Sequence, residues 1–501
     1  MTKKQISMVT LSLLLANIMS GLDATIINTA IPAIVSDLHG IQYMGWIVAC
    51  FLLGMSVSVP IWSKIGERMG NKFAFELSLA LFILGSVLEG VAPDIYFFLV
   101  SRVLMGVGAG GMGSLPYVIV GYIYPNIKRR TVILSYIAAC FGTASIIGPL
   151  LGGWIVDALS WHWVFYVNVP IALIAITIIS LFYKNVKKQA AGKPVDYLGA
   201  TLLVVSLVII LVAVQLIGSA SGLVVGCLFV VGLLLLGGMI KVDSKAVDPI
   251  VPSRLFKNRE LVIDFTLFVI IWCSFIAFVT YIPMWAQGIL GLSALLGGMT
   301  QIPGAITNFI GSELVPVLQE RWGKYWIVTC GAASIFIAYL GIMIGGQKTP
   351  FWLILFMGAF EGFGVGLVFN ILQINVQTDA ELRDVPIATS LGYLLRILSQ
   401  TLMSAVYGVI LNQELFQGVQ THHGITLRML NKLSNAQTAS SLPDKLLPTL
   451  RMILYNGYRD IIIAAVILIV IALILVVVLG WQNHCHQREL MALGNLKDTK
   501  S

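Results

Sequence analysis

Residues 8–32 read MVTLSLLLANIMSGLDATIINTAIP, a run whose one charged side chain is Asp23. About 20 apolar residues span the hydrocarbon of a bilayer as a helix, where only helices and closed barrels satisfy every backbone N–H and C=O. Lys3 and Lys4 ahead of the run resemble the start of an export signal. The run is long, however, carries Asn17 and Asp23, and lacks a small-residue cleavage site, so we read it as a retained first helix.

Comparable runs follow along the whole chain, at 44–62, 73–92, 95–124, 131–157, 164–183, 196–218, 221–241, 261–286, 293–317, 325–346, 351–375, 387–412 and 459–481. Fourteen spans predict an all-α polytopic membrane protein. Composition agrees: of 501 residues 58% are hydrophobic and 11% charged, with mean hydropathy +0.92. A soluble domain carries roughly 25% charged residues, so soluble enzymes and nucleic-acid-binding proteins are excluded.

The net charge of +8 reports orientation. With the N-terminus inside, segments on the inner side hold 23 Lys and Arg and outer segments hold 6. Cytoplasmic loops collect these residues, so both termini are expected in the cytoplasm and nucleic acid is not needed to explain the charge. Five of the six cysteines lie in apolar runs and none has metal-ligand spacing, so neither a disulfide framework nor a metal site is expected.

The stretch Glu67-Arg68-Met69-Gly70-Asn71-Lys72 after the second run recurs as Glu320-Arg321-Trp322-Gly323-Lys324-Tyr325 after the tenth. Two six-helix halves around an added pair follow: 1–183, then 184–260 with the seventh and eighth spans and a linker, then 261–481, and a cytoplasmic tail at 482–501. Repeated halves with a site at their interface are a transporter architecture. The polar outer stretch at about 413–458, with an amphipathic run near Leu447–Tyr455, is expected to be a surface loop with interfacial helices.

Charges inside spans carry the chemistry, because each is expensive there unless paired or wetted. A buried carboxylate such as Asp23 can exchange a proton or pair with a cationic ligand; the alternative is a packing role bonded to a neighbour. Glu361, in the Gly-rich centre of the twelfth span, is the second such candidate. Asp264, Glu313, Arg396 and Asn308 are secondary polar candidates, Asp264 and Glu313 nearer the cytoplasmic ends. Arg102 is always charged and needs a carboxylate, carbonyls or water, with Asp23 as the partner to test. Asp157, at the outer end of the fifth span, reads as a gate or cap residue.

The stretch Leu22-Asp23-Ala24-Thr25-Ile26-Ile27-Asn28-Thr29-Ala30-Ile31-Pro32 resembles the first-helix motif of the fourteen-helix drug:proton antiporters of the major facilitator superfamily. Residues 63–72 resemble that superfamily's loop after the second helix, with Glu67 in place of Asp. The resemblance implies a cytoplasmic gate formed by Glu67, Arg68 and Lys72, with Arg321 in the repeat. Arg102-Val103-Leu104-Met105-Gly106-Val107-Gly108-Ala109-Gly110 is similar to the family's fourth-helix motif, which implies a role for Arg102 in proton coupling. Gly142, Gly148, Pro149, Gly152 and Gly153 resemble the antiporter signature of the fifth helix, which implies export.

The resemblance further implies the major facilitator fold and a proton-gradient-driven export of small hydrophobic or cationic compounds, without a cofactor, across the plasma membrane of a bacterium. No phosphate-binding Gly-Lys loop for ATP is present. Adaptable pocket walls are expected from Met105, Tyr117, Trp272, Phe275 and Phe309, although aromatics in membrane helices also serve packing and lipid contact. The alternatives are an exporter dedicated to one endogenous metabolite, lipid or siderophore and, more remotely, a membrane-embedded enzyme or a non-transporting receptor. The histidines sit away from the span centres, which disfavours an enzyme.

Overall fold

In a computed structural model, the described residues are 2–124, 126–183, 197–217, 220–243, 253–381 and 384–498, and no strand occurs among them. The α-helices in order are α1 (Lys3–Asp37), α2 (Met44–Met69), α3 (Asn71–Gly90), α4 (Ile95–Ile123), α5 (Ile127–Ala158), α6 (His162–Tyr166), α7 (Asn168–Phe182), α8 (Tyr197–Gln215), α9 (Gly222–Asp243), α10 (Arg259–Gly288), α11 (Ala294–Met299), α12 (Ile302–Gln319), α13 (Lys324–Gly345), α14 (Phe351–Asp379), α15 (Val385–Thr421), α16 (Leu427–Leu433), α17 (Ala436–Ala439) and α18 (Leu447–Asp498). Eleven helical segments among the described residues are long and apolar enough to cross a membrane. Shorter apolar stretches lie at Ile146–Ala158 in α5 and Thr201–Val214 in α8.

The same packing scheme appears twice. In the first bundle α2 packs on α4, α3 on α4, α1 on α5, and α7 on both α1 and α3. In the second, α12 packs on α14, α13 on α14, α10 on α15, and α18 on both α10 and α13. Small residues make the closest of these contacts. Gly106 of α4 rests on the Phe51 carbonyl of α2, and Gly362 of α14 rests on the Gly304 backbone of α12, where a side chain would collide. Lipid offers no hydrophobic drive between helices, so such close approach supplies dispersion contacts instead.

The pair α8–α9 stands apart. α8 packs on α2 and α15, α9 packs on α8, and α9 exposes Leu223, Val230 and Leu234. Exposed apolar side chains of this kind are what a lipid-facing surface requires.

The bundles meet tightly at the end where α1 finishes. Gln287 Nε2 donates to the Thr29 carbonyl at 3.1 Å, Ser404 Oγ to the Gly45 carbonyl at 2.9 Å, and Asn412 Nδ2 to the Gln42 carbonyl at 2.7 Å. The segment between α15 and α18 folds over this end. The Ile41 N–H donates to Asn431 Oδ1 at 2.7 Å, and the Ser36 and Thr438 hydroxyls lie 2.8 Å apart. Leu430, Leu433 and Leu442 of that segment are buried, so it is a docked cap.

Candidate functional site

The first bundle encloses a cluster of charge. Arg102, on α4, is buried with its Nη1 3.4 Å from Glu89 Oε2 at the end of α3. Its Nε donates to the Ile47 carbonyl of α2 at 3.1 Å, and its guanidinium carbon lies 4.4 Å from the Phe51 ring centroid. Asp23 of α1 is buried within electrostatic reach of Arg102, with Asn168 of α7 beside it, yet neither Asp23 oxygen has a well-formed hydrogen bond. Glu89 Oε1 is likewise without a partner. Two carboxylates therefore share one guanidinium among apolar side chains. With both ionised the cluster carries one net negative charge, and a single proton or a cationic group neutralises it. Net charge in a low dielectric costs several kcal/mol, which gives the cluster its capacity to bind either.

The second bundle holds Glu361 separately. This carboxylate is buried on α14, facing Gly304 of α12 and Tyr339 of α13, and its Oε1 has no partner. Asp264 lies on α10 near the end of the bundle that bears the termini, where Asn375 Nδ2 approaches its Oδ1 at 3.4 Å. One turn further out, Lys324 Nζ contacts Glu260 Oε2 at 2.7 Å and Asp379 Oδ2 at 2.6 Å. The Tyr325 hydroxyl also donates to Glu260 Oε2, at 2.7 Å. Together these groups fasten α10, α13 and α14 at one end. Glu313 is exposed on α12, and Asn308 is half-buried with its backbone against Gly366.

Of the residues expected in a pocket, Trp272 and Phe275 pack together with ring centroids 5.9 Å apart. Trp272 is also 5.6 Å from Phe369, and Arg396 of α15 lies over both Trp272 and Phe369. Tyr117 of α4 is 47% exposed and lies within electrostatic reach of Tyr393 and Arg396 of the other bundle. Met105 is instead part of the first bundle's core, against Gly85 and the Arg102 guanidinium. Phe309 is exposed on α12 and takes no part in the aromatic group around Arg396.

At the turn after α2, Lys72 Nζ donates to the Ser180 carbonyl of α7 at 2.5 Å, and Ser180 Oγ donates to Glu76 Oε1 at 2.6 Å. Arg68 is exposed in the last turn of α2, and Arg321 is exposed just beyond α12. Gly142 lies on α5, while the Glu67 side chain lies outside what the structure describes. The other signature positions of α5 form two contact faces. Gly148 and Gly152 press on Thr25, Ile26 and Thr29 of α1, whereas Gly153 and the Pro149 carbonyl press on α11 at Leu295 and Gly298. Beside them Asp157 clamps the start of α11, its Oδ1 accepting from the Ala294 N–H at 3.1 Å and its Oδ2 from the Leu295 N–H at 2.8 Å.

Glu89 and the Lys324 network are functional candidates that the sequence reading did not single out. Glu89 falls inside the 73–92 run but adjoins the turn at Gly90–Pro93, so it resembles a charge at a helix end. The usable signal was the hairpin: a long Arg side chain one to two turns into α4 reaches back to the last turn of α3. No comparable local signal connects Glu260, Lys324 and Asp379, which come from three distant segments.

The Major Facilitator Superfamily profile matches residues 13–404. Multidrug resistance protein 3 of Bacillus subtilis (strain 168) is 30% identical over 500 residues, 96% of each chain. The multidrug transporter protein MdtP of the same organism is 30% identical over 442 residues, 87% of this chain and 77% of its own. Among solved structures, a bacterial homolog of the human lysosomal transporter Spinster superposes with a TM-score of 0.69 at 13% identity, over 96% of this chain and 98% of the other. A D-xylose–proton symporter superposes with a TM-score of 0.58 at 13% identity, over 81% of this chain and 90% of the other.

Proposed function

The chain belongs to the major facilitator superfamily of membrane transporters, and from that premise we propose that it is a proton-coupled antiporter exporting hydrophobic or cationic compounds across a bacterial plasma membrane. The observation that carries the reading is the buried cluster of Asp23, Glu89 and Arg102. A group that gains and loses one charge in an apolar bundle is the element that proton exchange against a cationic or neutral substrate needs. The names of the two Bacillus relatives support a multidrug substrate range.

Fourteen spans with both termini in the cytoplasm complete the proposal. Twelve of the apolar runs each fall on one helix, the last on the middle of α18, while 164–183 is divided between α6 and α7 and 293–317 between α11 and α12. The charge asymmetry supports the orientation. In that orientation the end closed by Asp157, Gln287 and the docked cap is extracellular, so the conformation is closed to the outside. Protonation of the cluster from the outside and its release inside then drive the bundles between two arrangements by rigid-body rocking.

The test is efflux from proteoliposomes under an imposed proton gradient, comparing wild type with Asp23→Asn and Glu89→Gln. Gradient-driven efflux is expected in the wild type and lost in Asp23→Asn, with downhill substrate exchange retained. Undiminished gradient-driven efflux by Asp23→Asn would falsify the coupling role.

A further inference from the structure

Arg396 is a half-buried cation whose surroundings contain no counter-ion among the described residues. Its guanidinium carbon lies 4.9 Å from the ring centroid of Tyr393, 5.2 Å from Phe369 and 5.7 Å from Trp272. These rings come from α15, α14 and α10, so three helices of one bundle wall it in. Tyr117 faces it from α4 of the other bundle, and the Tyr393 side chain reaches across toward Gly113 of α4. Its titratable neighbours are the phenols of Tyr393 and Tyr117, of which Tyr393 hydrogen-bonds the guanidinium, and its Nε is buried without a hydrogen-bond partner.

Aromatic faces attract a cation but accept few of its hydrogen bonds. A guanidinium offers five N–H donors in a planar fork that matches a carboxylate bidentately. Arg102 shows the satisfied case in the same molecule, with a carboxylate and a carbonyl as partners. Arg396 has aromatic walls and one phenol partner, and it lacks the anion. Its place between the bundles, opposite Tyr117, is where a transported molecule would pass in the mechanism proposed above.

We propose that Arg396 with Trp272, Phe369 and Tyr393 is an anion subsite of the transport pocket, recognising a carboxylate carried on a flat apolar body. The carboxylate pairs with the guanidinium, and the flat body stacks against the rings that already flank it. This extends the substrate range beyond the cationic and neutral compounds that Asp23 suggests. It rests on the exporter reading for its biological meaning, but binding needs no proton gradient, so the two fail separately.

The experiment uses the full chain in phosphatidylcholine nanodiscs, titrated with 1-pyrenebutyrate and with its uncharged methyl ester. The wild type is expected to prefer the acid by about tenfold or more, because the ester leaves the arginine donors unpaired. Arg396→Gln is expected to bind both compounds equally while keeping the wild-type ester affinity, which also shows that it is folded. Trp272→Leu is expected to weaken acid and ester alike. Equal binding of acid and ester by the wild type, or a preference that survives in Arg396→Gln, overturns the proposal. Loss of the preference when phosphatidylglycerol is added to the discs assigns the subsite to a lipid headgroup and overturns it as a substrate site.

Discussion

Replacing Asp157 by Ala removes the clamp between the bundles at the closed end. In the wild type each carboxylate oxygen accepts one backbone N–H from the start of α11, at 3.1 and 2.8 Å. Ser293 already occupies the N-cap, taking the Leu296 N–H at 3.3 Å, and Asp157 accepts the two donors before it. A hydrogen bond to a charged group contributes about 1.5–3 kcal/mol. Asp157 is only half-buried, and water replaces it when the bundles part, so about 2 kcal/mol in total is a fair figure for the pair. That free energy corresponds to a shift of about 30-fold toward the open arrangement. Asp157→Asn should shift it less, because its amide keeps one acceptor but turns a donor toward the other N–H. The assay is electron–electron double resonance between spin labels at the exposed positions Leu159 and Met452 in a cysteine-free background. The wild type should show mainly the short distance, and Asp157→Ala a substantial longer component. Distance distributions that superpose for wild type and Asp157→Ala would refute the clamp.

Three further outcomes follow from the packing. Glu89→Ala strands the Arg102 guanidinium and should cost about 3–5 kcal/mol in thermal unfolding in detergent, whereas Glu89→Leu combined with Arg102→Met should recover most of it; a double variant as unstable as the single one contradicts the pairing. Gly362→Leu drives a side chain into the Gly304 backbone and should abolish folded protein, as judged by size-exclusion chromatography, while Gly226→Leu on the open face of α9 should be tolerated. Lys324→Met should lower stability by only about 1 kcal/mol, since Glu260 is 46% exposed and the pair is screened, and the loss should shrink in high salt.

The first-helix acid and the fourth-helix arginine were legible because a charge stands out in an apolar run. Their third partner was not, because Glu89 sits in the last turn of α3 and only the hairpin turns it toward Arg102. Helix limits show the same physics. The last apolar run starts at 459, yet α18 begins at Leu447. Its first turns carry polar residues but bury Leu450, Leu454 and Tyr458 at helical spacing, with Tyr455 and Tyr458 against Trp285. Similarly, the thirteenth apolar run stops at 412 and α15 continues to Thr421. Apolarity marks what faces lipid, whereas helix length is also set by partners that a local window does not contain. Met105 illustrates the converse: a side chain suited to a pocket wall is claimed by the Arg102 core.

The attachment of α8 has a mechanical corollary. Its seam touches α2 of one bundle and α15 of the other, so it straddles the line along which the bundles part. A rigid body cannot follow two partners that rotate in opposite senses. Under the rocking motion proposed above, α8 would slide on at least one of them, carrying α9 with it like an outrigger. The sliding surface is apolar, formed by Leu203, Leu207 and Leu211 against Ala49, Leu53, Ala405 and Val409. Under that motion membrane viscosity and thickness would load turnover, felt at a pair of helices that holds none of the candidate proton-coupling residues.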